Sequence, residues 1–271
     1  MKIRRWTIAG VVAATLLTPG LTACNSATPA PFDAQSAAPA IPADPKEALL
    51  ASTKEIAKGN FRFAVESNGM NSTGSVHMPS RSAQMSMKAA DATLDFSMEI
   101  ELIYVEPDSY VKMKLGGALA DMPEMASLNT GKYMHLDQSK VKSIKDLQFD
   151  FNDVDPAGAA LLTKAIVDVQ KTGEGTYSGK IDLSKATEAG LSDEDVLKAL
   201  GAQANSLPFT AKLDAQGRLT ELAIKVPAVG EIKEQELKVT YSDYGAATAT
   251  QKPEASQTQE APAGVYEMWK D

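Results

Sequence analysis

The sequence predicts an α+β domain of about ten or eleven antiparallel strands with few, segregated helices. Two observations carry this. Between Asn60 and Tyr241 the apolar residues mostly recur with a period of two, and helical spacing with a recognisable start occurs in only three short stretches.

The first stretch opens at Asp44-Pro45-Lys46-Glu47, a capping residue, proline at the first helical position and a carboxylate three residues after the cap. Leu49, Leu50, Ile56 and Ala57 then follow at helical spacing, so a helix is expected over 45–58, ending at Gly59. From Asn60 the period changes. Phe61, Phe63 and Val65 alternate with Arg62, Ala64 and Glu66, Asn68-Gly69 signals a hairpin, and Val76 and Met78 resume beyond it. Met85 and Met87 share one face of the next strand. Leu94, Phe96, Met98, Ile100 and Leu102 alternate with polar residues over nine positions, the cleanest amphipathic strand in the chain. Val111, Met113 and Leu115 interleave with Tyr110, Lys112 and Lys114, and Met134 and Leu136 close the series. Such strands keep one dry and one wet face.

The middle of the chain supplies the other helices. One is expected from Asp155-Pro156, with Leu161, Leu162, Ala165 and Ile166 on its apolar side. A second follows the capping box of Ser192 and Asp195, stapled by Leu191 and Val196, with Leu197 and Leu200 beyond. Tyr177 to Leu183 is a strand between them. Three more strands are expected at Phe209 to Leu213, Leu219 to Val226 (Leu222, Ile224 and Val226 on one face) and Glu236 to Tyr241.

Composition narrows the function. The chain has 271 residues, 44% of them hydrophobic, enough to bury a core. One cysteine excludes a disulfide framework and multi-cysteine metal sites, and His77 and His135, both expected on the outer face, offer little to a metal or a catalytic triad. No cofactor is implied. The formal charge is −8, an acidic balance that argues against nucleic acid as a partner.

The N-terminus reads Met1-Lys2-Ile3-Arg4-Arg5, an apolar run from Trp6 through Leu17, then Leu21-Thr22-Ala23-Cys24. This is the architecture of an export signal over 1–23, with an apolar run too short for a typical spanning helix. Leu-Thr-Ala-Cys also matches the lipobox of bacterial lipoproteins, against the alternative of an ordinary signal with a chance cysteine. Cys24 is then an acylated anchor rather than a nucleophile, placing the protein on the outer face of the cell membrane. Residues 24–44 after it are rich in Ala, Pro and Ser and are expected to be an extended tether. Residues 246–271 are expected to be a disordered tail, although Val265-Tyr266-Glu267-Met268-Trp269 break its polar pattern and leave local docking as the alternative, and one domain remains over 45–245.

Several patterns are decoys. Ser139-Lys140-Val141-Lys142 and Lys171-Thr172-Gly173 satisfy two motifs of penicillin-recognising enzymes, but they lie 32 residues apart and the third motif is absent between them. Asp150, Asn152, Asp153 and Asp155 lack the glycine and closing glutamate of a calcium hand and read as a solvated, helix-capping loop. The glycine-flanked segment 116–131 is long for a hairpin connection, and an ordinary surface loop and a mobile lid are both open for it.

The pieces occur in a telling order. An opening helix leads into Asn60-Phe61-Arg62-Phe63, then Gly74-Ser75-Val76, Tyr110-Val111-Lys112 and Lys132-Tyr133. The Asp155 helix start, Ser178-Gly179-Lys180-Ile181-Asp182, Leu207-Pro208-Phe209, Asp214 to Leu219 and Val239 to Gly245 follow. With the lipobox, this order resembles the LppX/LprA/LprF/LprG family of actinobacterial lipoproteins, whose fold is related to the LolA and LolB carriers. The resemblance implies a strongly curved antiparallel half-barrel with helices packed on its concave side over a hydrophobic cavity. It also implies a monomer that binds and moves acylated lipid or lipoglycan without making or breaking a bond.

Nine of the 11 methionines fall between Met70 and Met134, and methionine's flexible thioether suits a wall that accepts varied acyl chains, as well as filling gaps in a closed core. The residues expected to line the cavity are Phe61, Phe63, Val65, Met85, Met87, Phe96, Met98, Ile100, Val111 and Met113. Leu222 and Ile224 continue this wall, with Leu161, Ile166 and Leu197 above it. The other reading is a ligand-free, surface-tethered module that binds an envelope protein; a large cavity behind the sheet favours the carrier, a filled core with an exposed apolar patch the module.

Overall fold

A computed structural model of the chain describes residues 40–269, except Asn68, Leu94, Lys145, Asp146, residues 188–193 and Glu231. The expected signal, Cys24 and most of the expected tether lie outside the described residues, as do Asn68 of the first hairpin and Leu191 and Ser192 of the expected staple and capping box.

Twelve strands form one sheet: β1 (Asn60–Ser67), β2 (Met70–His77), β3 (Ser82–Asp91), β4 (Phe96–Val105), β5 (Asp108–Gly117), β6 (Tyr133–His135), β7 (Ile166–Gly173), β8 (Thr176–Ile181), β9 (Leu207–Leu213), β10 (Leu219–Val226), β11 (Gln235–Ser242) and β12 (Thr258–Glu260). Their spatial order is β12-β6-β5-β4-β3-β2-β1-β11-β10-β9-β8-β7. Every neighbouring pair is antiparallel except β12 and β6, and the two edge strands are not paired with each other, so the sheet is unclosed. Two hairpin meanders meet where β1 pairs with β11, with Phe63 opposite Tyr241 and Val65 opposite Val239.

Period-two alternation delivers one dry face. A continuous cross-strand row runs Tyr241, Phe63, Gly74, Met85, Leu102, Val111, Met134, and the next runs Val239, Val65, Ser72, Met87, Ile100, Met113. Gly74 is small for a reason: the Phe63 ring lies over it, 2.5 Å from where a Cβ would stand, with the Gln84 carbonyl equally close on another side. The opposite face carries charge pairs, including Lys88–Glu99 at 2.9 Å, Lys212–Glu221 at 2.9 Å and Lys238–Glu66 at 3.2 Å. Exposed pairs of this kind contribute a few tenths of a kcal/mol each and chiefly set register.

The helices are short and number five among the described residues: α1 (Pro45–Ser52), α2 (Gln138–Val141), α3 (Ala159–Lys164), α4 (Glu194–Leu200) and α5 (Ala263–Met268). α1 starts as its sequence dictates, the Asp44 carboxylate accepting the Glu47 N–H at 2.8 Å, a cap worth about 1 kcal/mol. It ends earlier than the expected 58. The Ser52 and Thr53 hydroxyls donate back to the Leu49 and Leu50 carbonyls, and a separate 3-10 turn at Ile56–Lys58 leads to Gly59 in the left-handed region. α1 packs on β7 and α3. The segment from Leu136 through Val154 buries Leu136, Val141, Ile144, Leu147, Phe151 and Val154 in the core.

Four further expectations are corrected. The helix expected from Asp155 starts later, at Ala159 behind Gly158; the Asp155 carboxylate instead accepts the Ala160 N–H at 2.8 Å across the intervening turn. Ile166 is not on that helix. The helix stops at Lys164, the Asp182 N–H donates to the Ala165 carbonyl, and Ile166 opens β7 opposite Ile181. The strand count is twelve because β7 and β12 join the expected set. Finally, residues after Gly245 are packed rather than disordered. Ala247 N–H donates to Asn60 Oδ1 and Thr250 N–H to Ser82 Oγ, both at 2.9 Å, Lys252 pairs with Asp108, and β12 adds beside β6. The tail thus straps across the ends of the first meander's strands, and Val265 and Tyr266 of α5 are buried at its far end.

Candidate functional site: an aromatic cleft at the strand ends

The residues expected to line a cavity are placed in two groups. Phe61, Phe63, Ile100, Val111, Met113, Ile166, Leu222 and Ile224 are buried, part of the main core. Val65, Met85, Met87, Phe96, Met98, Leu161 and Leu197 are half-buried. Leu161 sits on α3 and Leu197 on α4, while Phe96 and Met98 lie toward the β1–β4 strand ends that hold Met70, itself half exposed.

Two of the fifteen, Phe63 and Met85, line a cleft between the dry face and the segment that crosses it. That pocket has a volume of about 210 Å3, and Tyr104, Phe149 and Pro156 form the rest of its apolar wall. A second pocket of about 410 Å3 shares Tyr104, Gln148 and Phe149 with it and continues to the β4–β5 turn, lined by Val141, Leu147 and Phe151. The two volumes together fall within the range of small-molecule sites, about 300–1,000 Å3.

The aromatic wall is mutually braced. The ring centroids of Tyr104 and Phe149 are 5.4 Å apart and those of Phe149 and Phe151 4.8 Å apart, tilted packings that suit aromatic quadrupoles. Arg81 lies over the Phe151 ring at 5.3 Å while its guanidinium grips both Glu106 oxygens. Gln148 donates to the Val141 and Ile144 carbonyls at 3.0 and 3.3 Å, pinning the crossing segment. Tyr241 donates to Asp155 Oδ1 at 2.6 Å, tying the other end of the crossing segment to β11; burial, then the Asp155 charge, holds this phenol well above its ordinary pKa.

The polar groups at the open end are Lys142, Gln138, Ser109, Glu106 and Asp108. Asp108 is held below the usual carboxylate range by its bonds to Lys252 and His135, so it stays charged. His77 and His135 both lie on the polar face, in register with Ser82 and Tyr110. Among the described residues, no three His, Cys, Asp or Glu side chains are grouped to hold a metal ion, and no helix is long and apolar enough to cross a membrane.

Sequence reasoning missed Tyr104, Phe149 and Phe151. Phe149 and Phe151 alternate around Asp150 next to Leu147, a short apolar signal hidden by the acidic residues that dominate the stretch. The loop at 116–131 is fastened at both ends: the Ala118 N–H donates to the Asp95 carbonyl at 2.8 Å, Asn129 accepts the Leu115 N–H and donates to the Leu115 carbonyl, both at 3.1 Å, and Leu128 is buried. The chain matches no family model and no curated protein, so the site's chemistry rests on its own residues.

Proposed function

We propose that the chain is a membrane-anchored envelope lipoprotein that binds an acylated lipid or lipoglycan on the dry side of its sheet and carries or presents it, with no covalent catalysis. Cys24, acylated, holds it to the outer face of the cell membrane. The fold behind this reading is the strongly curved half-barrel with helices on its concave side. The observation that carries it is the aromatic cleft of Phe63, Met85, Tyr104, Phe149 and Phe151, open at the strand ends and continued on the dry face by half-buried Met87 and Met98.

The driving force is area. At roughly 25 cal/mol per Å2, several hundred Å2 of acyl surface contributes around ten kcal/mol before the costs of ordering. Methionines re-pack at low cost, so the wall adapts to chains of different shape. Release then requires only a competing apolar environment.

A filled core favours a second reading. Eight of the expected lining residues are solidly packed, which suits a ligand-free module that presents a surface to an envelope protein. Organic extraction of the purified chain with mass spectrometry, and titration with a fluorescent fatty-acid probe, separate the two. The carrier reading expects probe binding that falls when Met85→Trp fills the cleft; an empty extract together with no probe binding overturns it.

A further inference from the structure

The larger pocket of the cleft has a wall that the sheet does not build. Gln138 and Val141 of α2, then Lys142 and Leu147, line it together with Tyr104 and Ser109 of the strands. α2 is a single turn of four residues, too short to hold its own position. From the sheet it is fastened by Gln138, whose amide donates to Ser109 Oγ at 2.8 Å, and by the Leu136 N–H, which donates to the Ser109 carbonyl at 2.9 Å.

A second fastening comes from the far end of the chain. The Asp137 N–H, at the cap of α2, donates to Tyr266 Oη at 2.8 Å, and the Lys140 ammonium lies 4.8 Å from the centre of the same ring. Asp137 and Lys140 are three residues apart and share one side of the turn, whereas Gln138, Val141 and Lys142 face the pocket. α2 therefore stands between the cleft and Tyr266. The clamp is itself held: Tyr266 is buried, Val265 fully so, and Gly264 faces Leu128. The strap fixes α5 from the other direction, through the β12–β6 pairing and the Ala261 N–H, which donates to the His135 carbonyl at 3.0 Å.

We infer that Tyr266 is a positioning residue for the cleft: through Asp137 and Lys140 it sets where α2 stands, and so the width of the opening that an acyl chain enters. The use of that width rests on the lipid-binding reading; the clamp does not. Without Tyr266 the N-terminal end of α2 loses its outer hold and moves away from Tyr104, and bulkier tails enter.

Two variants of the full chain test this. Tyr266→Phe removes the acceptor of the Asp137 N–H and keeps the ring, so the test does not depend on the folding of Tyr266→Ala, which removes both contacts. Amide exchange is read at Val141, Lys142 and Ile144, which donate to carbonyls of Asp137, Gln138 and Val141, with Leu222 to Ile224 of β10 as the reference. Exchange in the wall should rise about fivefold in Tyr266→Phe, the loss of one neutral hydrogen bond, and further in Tyr266→Ala, with β10 unchanged. Unchanged exchange in the wall, or equal acceleration in β10, overturns the assignment. Binding is read with two fatty-acid probes, one straight-chained with its fluorophore at the head and one carrying pyrene at its tail. Tyr266→Ala should shift the ratio of their affinities toward the pyrene probe; an unchanged ratio in a variant whose wall exchanges faster overturns the control of width. A full chain that binds neither probe overturns the lipid reading alone, and the exchange result still decides the clamp.

Discussion

His135 Nε2 stands 3.0 Å from Asp108 Oδ1, and the same ring's Nδ1 stands 3.3 Å from Glu260 Oε1, so one imidazole bridges the β4–β5 turn and the C-terminal strap. Lys252 reaches the other Asp108 oxygen, the Tyr110 ring lies 5.1 Å away, and Asp137 is a further carboxylate in the field of His135.

Burial lowers the His135 pKa, but its bonds to Asp108 and Glu260 outweigh that and leave it raised. A raised histidine contributes stability that is full below the unfolded value of about 6.5 and is lost as pH climbs through the folded one. Asp108 is lowered, so its share is present above about 3.9 and is lost as pH falls through its own folded value. The strap should therefore dock most tightly between about pH 4 and 6.5 and loosen as pH rises through the raised value of His135. Amide exchange at Gln259 to Ala261 measured against pH reads this, and His135→Gln should flatten the upper limb. An upper limb that survives in this variant contradicts the latch.

Ending the chain after Gly245 should be costly. Val265 and Tyr266 are buried, and burial of such side chains is worth about 1.5–3 kcal/mol each. Denaturant melts should show a midpoint well below that of the full chain. Equal midpoints would mean that the tail contributes nothing.

Tyr241→Phe removes the donor to Asp155, a bond to a charged group worth about 1.5–3 kcal/mol. Asp155 keeps the Ala160 N–H, so the loss should stay near the lower end. A double-mutant cycle with Asp155→Asn by urea melts measures the coupling; additive losses would show that the two groups act separately.

Gly74→Ala forces a Cβ against the Phe63 ring and the Gln84 carbonyl at 2.5 Å. Overpacking of this kind costs about 1–3 kcal/mol, read as a lower urea midpoint with the same slope. Adding Phe63→Leu should recover part of it, because the ring is the movable obstacle.

What the sequence made legible was the sheet's dry face. β4 and β5 alternate so regularly that their ladder, Met98 to Leu115 and Ile100 to Met113, follows from side-chain type. β7 was hidden because it is an edge strand with only Ile166 buried, so it carries no period of two, and Leu161, Leu162 and Ile166 fit helical spacing instead. β12 is three polar residues whose strand conformation comes from backbone pairing with Tyr133 to His135. The cleft was half legible: Phe63 and Met85 stand on readable strands, whereas Phe149 and Phe151 belong to an irregular segment placed by tertiary contacts alone.

The seam between β1 and β11 joins residues near opposite ends of the domain, Arg62 beside Ser242 and Glu66 beside Lys238. A ribosome therefore delivers β1 long before its second neighbour exists. Until β11 emerges, the growing chain holds β1 as a bare edge, and pairings so distant in sequence form slowly. Any stop before Gln235 would strand both β1 and β10 with exposed ladders, and such fragments should aggregate rather than fold as a smaller version of the sheet.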